Sequence, residues 1–226
     1  LSEGIVNEYR LISKKDAIKK IHQPNNQQDI QQAVFRLKFE ELFYLQLELL
    51  IRKKLTAIKH RGFVFKEVGT LFNTFYKDKL PFQLTNAQKK VIKEIRKDFL
   101  SGEHMNRLLQ GDVGSGKTLV ALMTMLLATD NGYQAAIMAP TEIFATQHFE
   151  SLTEFLSDLP IRVSLLTGST KKSQRKFLHE GLENGEIHIL VGTHALLEDT
   201  VKFKNIGLVV IDEQHRFGVA QRSKMW

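Results

Sequence analysis

The segment Gly111-Asp112-Val113-Gly114-Ser115-Gly116-Lys117-Thr118 matches G-x-x-x-x-G-K-[ST] in full, and it narrows the possible folds more than any other stretch of the chain. Such a loop binds phosphate only where a strand hands over to a helix. The glycines let the backbone curl so that successive N–H groups converge on an anion, and the helix N-terminus adds its partial positive charge. Both flanks fit that context: Leu108-Leu109 is a strand candidate, and Leu119 to Ala128 is an apolar helix ending at Asn131-Gly132. Lys117 is expected to reach the β- and γ-phosphates of a nucleotide, and the Thr118 hydroxyl to ligate Mg²⁺.

Downstream, short apolar runs alternate with helical stretches. Ala135–Ala139, Ile161–Leu166, Ile187–Val191 and Leu208–Ile211 read as strands, with helices over Glu142–Leu156 and Lys171–Glu183. Strand and helix alternating at this spacing predict an α/β fold with a parallel sheet between helices. Upstream the pattern differs. Residues 1–25 are mixed and close on the polar stretch Ile21-His22-Gln23-Pro24-Asn25-Asn26. From Gln27 to Lys59, Val34, Leu37, Leu42, Leu45, Leu49 and Leu50 recur at helical steps without Gly or Pro, and Phe35, Phe39, Phe43 and Leu47 make the helix apolar on more than one face. It is expected to pack on more than one neighbour. From Gly62 to Leu80 no period is evident, so that stretch is expected to be an irregular connection. The amphipathic pattern Ala87, Val91, Ile92, Ile95, Phe99 marks a further helix, with Thr85 as N-cap and Gln88 at the third position of a capping box.

A phosphate loop needs a second acid to hold the metal and usually one to activate water. Leu208-Val209-Val210-Ile211-Asp212-Glu213 supplies both at the end of an apolar strand, where the ligand crevice of an open α/β sheet lies. Asp212 is assigned to the Mg²⁺ shell and Glu213 to orienting and deprotonating water. Other chemistries fall away. The chain has no cysteine, which excludes a disulfide scaffold, a thiol nucleophile and Cys-ligated metals. No H-E-x-x-H occurs, and Gly114-Ser115-Gly116 is not a nucleophile elbow because Val113 stands where a glycine is required. Its longest apolar stretch is far short of the ~20 residues that a membrane helix needs. Charge is uneven: residues 1–113 hold 21 Lys/Arg against 13 Asp/Glu, and residues 114–226 hold 11 against 12. A polyanion partner would account for the basic excess in the first half.

Asp212-Glu213-Gln214-His215 is similar to the DExH box of superfamily 2 helicases. GDVGSGKT (111–118) and DEQHRFGV (212–219) together resemble a bacterial family within it that migrates branched DNA. Phe82 to Gln88 resembles the family's adenine-reading Q motif. Ala139-Pro140-Thr141-Glu142, Thr167-Gly168-Ser169 and Gly192-Thr193-His194 resemble its strand-end motifs, and the N-terminal stretch resembles the segment joining a DNA wedge domain to the motor. The resemblance covers nearly the whole chain. It implies a RecA-like P-loop NTPase domain over 80–226, incomplete at its C-terminus, after a long linker helix and connection over 26–79 and the end of a wedge domain over 1–25.

By the same resemblance, ATP and Mg²⁺ are the cofactors. Gly111, Gly114, Ser115, Gly116, Lys117 and Thr118 hold the phosphates, Phe82 and Gln88 the base, and Thr118 and Asp212 the metal. Lys117, Asp212, Glu213 and His215 serve catalysis, with His215 coupling the γ-phosphate site to a second RecA-like domain. Thr141, Glu142, Thr167, Gly168, Thr193 and His194 contact nucleic acid through phosphates. The implied function is an ATP-dependent DNA helicase of the bacterial cytoplasm that remodels forks and Holliday junctions in recombination and repair. A transcription-repair coupling translocase, a P-loop NTPase that never touches nucleic acid, and a DNA-binding scaffold without hydrolysis are the competing readings. The chain stops at Trp226, eleven residues after His215, so a second lobe with its arginine finger has no room, and 1–226 is expected to be a piece that does not unwind DNA unaided.

Overall fold

In the computed structural model the chain is described over residues 1–59, 61–80 and 82–218, with the backbone alone at 56–59. Pro81 of the Q-like segment, and Val219 with the residues after it, lie outside the described residues. The chain divides into two compact units, Leu1–Arg61 and Gly62–Trp226.

The first unit is helical: α1 (Glu3–Glu8), α2 (Lys14–His22) and the 33-residue α3 (Gln27–Lys59). Ser13 caps α2 by accepting from the Asp16 N–H. Small residues let α2 and α3 approach closely, with Ala17 and Ala33 both fully buried. Around that contact Lys20 pairs with Asp29, and Glu40 binds both Lys14 and Arg36, whose Nε donates to the Ile12 carbonyl. Only the first half of α3 acquires this cover. Leu42, Leu45, Leu49 and Leu50 are exposed, so the apolar residues on several faces of α3 do not all find neighbours.

The second unit begins at Gly62, well ahead of the boundary at residue 80 that the sequence suggests. Residues 62–69 have no regular structure, as expected, but 70–79 do. Phe65 is buried against Phe99 and Tyr133, and α4 (Thr70–Thr74) runs directly into a π-helical turn, Phe75–Lys79. Phe75 is fully buried and meets the Phe155 ring edge-on. No period is legible here because the helix is short and its cap comes from elsewhere. Asp130 accepts from the Leu71 and Phe72 N–H groups, both at 3.0 Å.

The rest is an α/β layer structure: α5 (Asn86–Ser101), α6 (Lys117–Asp130), β1 (Gln134–Met138), α7 (Glu142–Phe155), β2 (Val163–Leu166), α8 (Lys172–Glu183), β3 (Ile189–Gly192) and β4 (Ile206–Ile211). The four strands pair in parallel in the order β2-β3-β1-β4. Helix α6 is buried along most of its length and packs against β1, β4, α4 and α5, as its nearly continuous apolar sequence requires. Leu108-Leu109 does not form a strand. A strand exists only where it has a ladder partner, β4 pairs through β1 alone among the described residues, and Leu108 and Val209 are both exposed.

The Asp130 cap ties the 62–79 segment to α6. Asp130→Ala is expected to lower the unfolding free energy by about 0.5–2 kcal/mol, the range for loss of a helix N-cap, seen as a lower urea midpoint with an unchanged m-value.

Candidate functional site

Parallel pairing in register brings the four strand ends to one edge. Met138 lies opposite both Gly192 and Ile211, and Gly192 opposite Leu166. The loops that follow carry Thr141 and Glu142, Thr167 and Gly168, Thr193 and His194, and Asp212 and Glu213. Close strand approach is enforced at Gly192, where a Cβ would sit 2.2 Å from the Leu166 carbonyl oxygen.

The phosphate loop leads into the first turn of α6. Gly114 and Gly116 adopt φ of 78° and 79°, a region that side-chain-bearing residues rarely occupy, and a Cβ on Gly111 would lie 2.8 Å from Ser115 Oγ. Helix α6 has Gly116 as N-cap and no side-chain cap, and although the Leu119 N–H turns back to the Gly116 carbonyl, no side chain competes for the N–H groups of Lys117 and Thr118. Lys117 Nζ donates to the carbonyls of Gly111 and Asp112, both at 2.8 Å, which holds the ammonium over the loop.

Gln88 does two jobs with one amide. Its Oε1 accepts from the Thr85 N–H at 2.8 Å, completing the capping box of α5, while its Nε2 donates to the Ser115 carbonyl at 3.0 Å. The capping role therefore fixes the side chain against the phosphate loop. At Gly116 the φ of 79° is what calls for glycine, and a Cβ there would press on the Gln88 Nε2, 2.4 Å away, and shift that side chain. Phe82 is exposed.

At the end of β4 the Asp212 N–H donates to the Met138 carbonyl, continuing the ladder by one bond. The carboxylate is held at both oxygens: Oδ2 lies 2.8 Å from His148 Nε2, and Oδ1 accepts from the Glu213 N–H at 3.0 Å. The hydrogen bond from His148 is the main cause that holds Asp212 below the usual carboxylate range. Partial burial opposes it, and the charge of Lys117 adds a smaller favourable contribution that links β4 to the phosphate loop. Glu213 is left-handed (φ 48°, ψ 46°), a conformation that costs a non-glycine residue about 1–2 kcal/mol, and it turns the chain into a short 3₁₀ turn, Gln214–Arg216. His215 is largely exposed, its Nδ1 3.5 Å from Glu213 Oε2.

The other loops are tied together. Thr141 caps α7 by accepting from the Phe144 N–H. Glu142 reaches to the loop after β2, where its carboxylate accepts from the Ser169 N–H at 3.0 Å and the Ser169 hydroxyl at 2.8 Å. These bonds, the hydroxyl first, depress the Glu142 pKa, with smaller help from the Gly168 N–H and His194. Arg175 donates to the Thr167 and Thr170 carbonyls and pairs with Glu198. The side chains of Thr167 and Thr193 are buried, so contact with a polyanion at these loops falls to backbone N–H groups and to exposed neighbours.

Two residues at this edge escape sequence reasoning. His148 is seven residues past the N-cap of α7 and Phe144 is three past it. Being four apart, they share a helix face, and both meet the DExH turn, since Arg216 stacks over the Phe144 ring at 5.7 Å while His148 binds Asp212. The available signal was a histidine on the core-facing side of a helix that starts at the reactive edge.

A glycine cradle at a helix N-terminus, a lysine above it and a carboxylate at a neighbouring strand end define a P-loop NTPase domain of RecA-like type. The chain belongs to the DEAD/DEAH box helicase family, whose match covers residues 85–226. It is 48% identical over 225 residues to the ATP-dependent DNA helicase RecG of Synechocystis sp., covering all of this chain and 27% of that protein. The RecG of Thermotoga maritima is 48% identical over 226 residues, covering all of this chain and 29% of the relative, and that of Streptococcus pneumoniae 46% over 222 residues, covering 98% and 33%. The chain thus spans about a third or less of these relatives. Among solved structures, RecG bound to a three-way DNA junction matches with a TM-score of 0.85 and 47% identity, over 96% of this chain and 30% of the other. The helicase MrfA shares the fold, at a TM-score of 0.52 and 20% identity over 66% of this chain and 24% of the other.

The Glu142 clamp carries a pH signature. Because its folded-state pKa is depressed below the ordinary 4.5, the stabilisation it gives is present above the ordinary glutamate range and lost as pH falls through the lowered value. In an NMR titration the Ser169 amide should report a midpoint below the ordinary value, and Ser169→Ala should bring the Glu142 midpoint back up.

Proposed function

We propose that this chain is the ATP-binding lobe of an ATP-dependent DNA helicase or translocase that remodels branched DNA in the bacterial cytoplasm, in recombination and repair. The observation that carries this reading is the meeting of the phosphate loop and Asp212 on the edge that also carries the three loops resembling the superfamily's nucleic-acid motifs. The relatives add support: the curated ones are bacterial and are named ATP-dependent DNA helicases, and the solved one is bound to a three-way DNA junction.

The residues present fit a nucleotide with a divalent cation. The cradle at Gly111, Gly114, Ser115 and Gly116 leaves room for phosphate oxygens against backbone, and the Thr118 hydroxyl and the Asp212 carboxylate are hard oxygen donors of the kind Mg²⁺ selects. When bound there, Mg²⁺ would neutralise charge developing on the β- and γ-oxygens. Lys117 exchanges its two carbonyl acceptors for those oxygens. Glu213 orients the attacking water and takes its proton, and His215 faces the second RecA-like domain of the complete protein. Gln88, with Oε1 committed to its cap, offers its Nε2 to the adenine, and Phe82 its ring.

The loops that carry Thr141, Thr167, Gly168, Thr193 and His194 hold one strand by its phosphates, through their exposed groups rather than through the buried Thr167 and Thr193 side chains. Such contacts are blind to sequence, as a motor that steps along DNA requires. Glu142 contributes by fixing the 168–169 loop, since its carboxylate would repel a phosphate. Coupled to a second RecA-like domain and a wedge domain, this lobe converts nucleotide turnover into movement on a junction.

Lys117→Ala in the complete protein is expected to reduce DNA-stimulated ATP hydrolysis by about 10²–10³-fold, the scale for loss of one preorganised charge-stabilising donor. ATPase assays with and without forked DNA check this. Unchanged turnover, or turnover indifferent to DNA, would sink the motor reading.

A further inference from the structure

We infer that His148 is a positioning residue for nucleotide turnover, donating from Nε2 to Asp212 Oδ2 so that the carboxylate presents a fixed oxygen to the cation bound with the nucleotide. The inference rests on the ATP reading above and goes beyond it, because α7 has no assigned part in the nucleotide site.

Three observations carry it. First, the contact is short and sheltered: 2.8 Å, with the side chain of His148 only 12% exposed and that of Asp212 30%. A carboxylate accepts only, so Nε2 carries the hydrogen. Second, the bond completes a two-point hold. The Glu213 N–H occupies Oδ1 and His148 occupies Oδ2, and together they remove the carboxylate's freedom to rotate. The remaining lone pairs keep one defined direction, which is what a hydrogen-bond partner behind a metal ligand supplies. Third, His148 is not an isolated contact. Phe144, one turn earlier on the same face, lies under Arg216, so α7 braces the DExH turn on both sides of Glu213. That brace holds a turn containing a left-handed glutamate, which relaxes unless its surroundings fix it.

The experiment uses the complete protein and a fluorescent ADP analogue, titrated with Mg²⁺ and followed by fluorescence, beside steady-state ATPase kinetics. In His148→Ala the Mg²⁺ concentration for half-maximal nucleotide binding should rise by roughly 10–100-fold, the cost typical of losing such a partner. Binding of the analogue without Mg²⁺ should stay unchanged, and kcat should recover at high Mg²⁺. His148→Gln, whose Nε2 reaches to about the same place, should restore the wild-type Mg²⁺ requirement. The inference is overturned if His148→Ala keeps that requirement, or if His148→Gln is as impaired as the alanine variant despite a wild-type melting temperature. Wild-type protein whose binding of the analogue ignores Mg²⁺ would overturn the ATP reading and this inference with it. An ATP-competent wild type with an unaffected His148→Ala variant would overturn the inference alone.

Discussion

Parallel strands cannot be joined by tight turns. Each return to the starting edge needs a crossover, and in this chain α7 and α8 make the crossovers to β2 and β3 while the C-terminal strand ends collect at one edge. The rest of the molecule depends on that constraint. Residues as far apart in sequence as Thr141 and Asp212 become neighbours of one crevice because Met138 is registered with both Gly192 and Ile211. A slip of one residue at β4 would turn its side chains to the opposite face and take Asp212 from its place beside His148.

The phosphate loop reaches the same edge by a different route. No ladder partner fixes Leu108-Leu109 among the described residues, and the loop is instead held from its far end by α6 and from the side by Gln88. Helix α6 is buried by β1 and β4 on one side and by α4 and α5 on the other, which makes its N-terminus a fixed point. The 62–79 segment belongs to this arrangement. By lending α4 to the wall around α6, capped on Asp130, it stabilises the helix that follows the glycine-rich loop. A stretch that looks like a tether in sequence is part of the nucleotide domain's frame.

What the sequence reveals, and what it hides, follows from this division of labour. The parallel sheet, the capping box at Thr85 and helices α5 to α8 rest on local patterns: period, caps, apolar runs. They are legible to within a few residues. The families of loops at the strand ends are legible too, since each carries a short motif. Two kinds of information are not local. The helix at Thr70–Thr74 is capped by a residue about sixty positions away, and the strand before the phosphate loop needs a partner to exist as a strand. His148 belongs to the same class. Nothing in Ala145-Thr146-Gln147-His148 announces a link to Asp212, because that link is made only when β4 lies beside β1. Gln88 shows the converse, a local capping pattern and a distant contact satisfied by different atoms of one amide.

Helix α7 now stands out as the element with ties to both halves of the edge. At its first turn, Thr141 caps the helix while Glu142 clamps Ser169, where the loops resemble nucleic-acid motifs. One and two turns later, Phe144 and His148 brace the segment that carries Asp212 and Glu213. A helix is stiff along its axis, rising about 1.5 Å per residue, so the Glu142–Ser169 contact at its start and the His148–Asp212 contact two turns on are held at a fixed spacing. One chain of touching side chains thus runs from Ser169 to Glu142, along α7, and from His148 to Asp212.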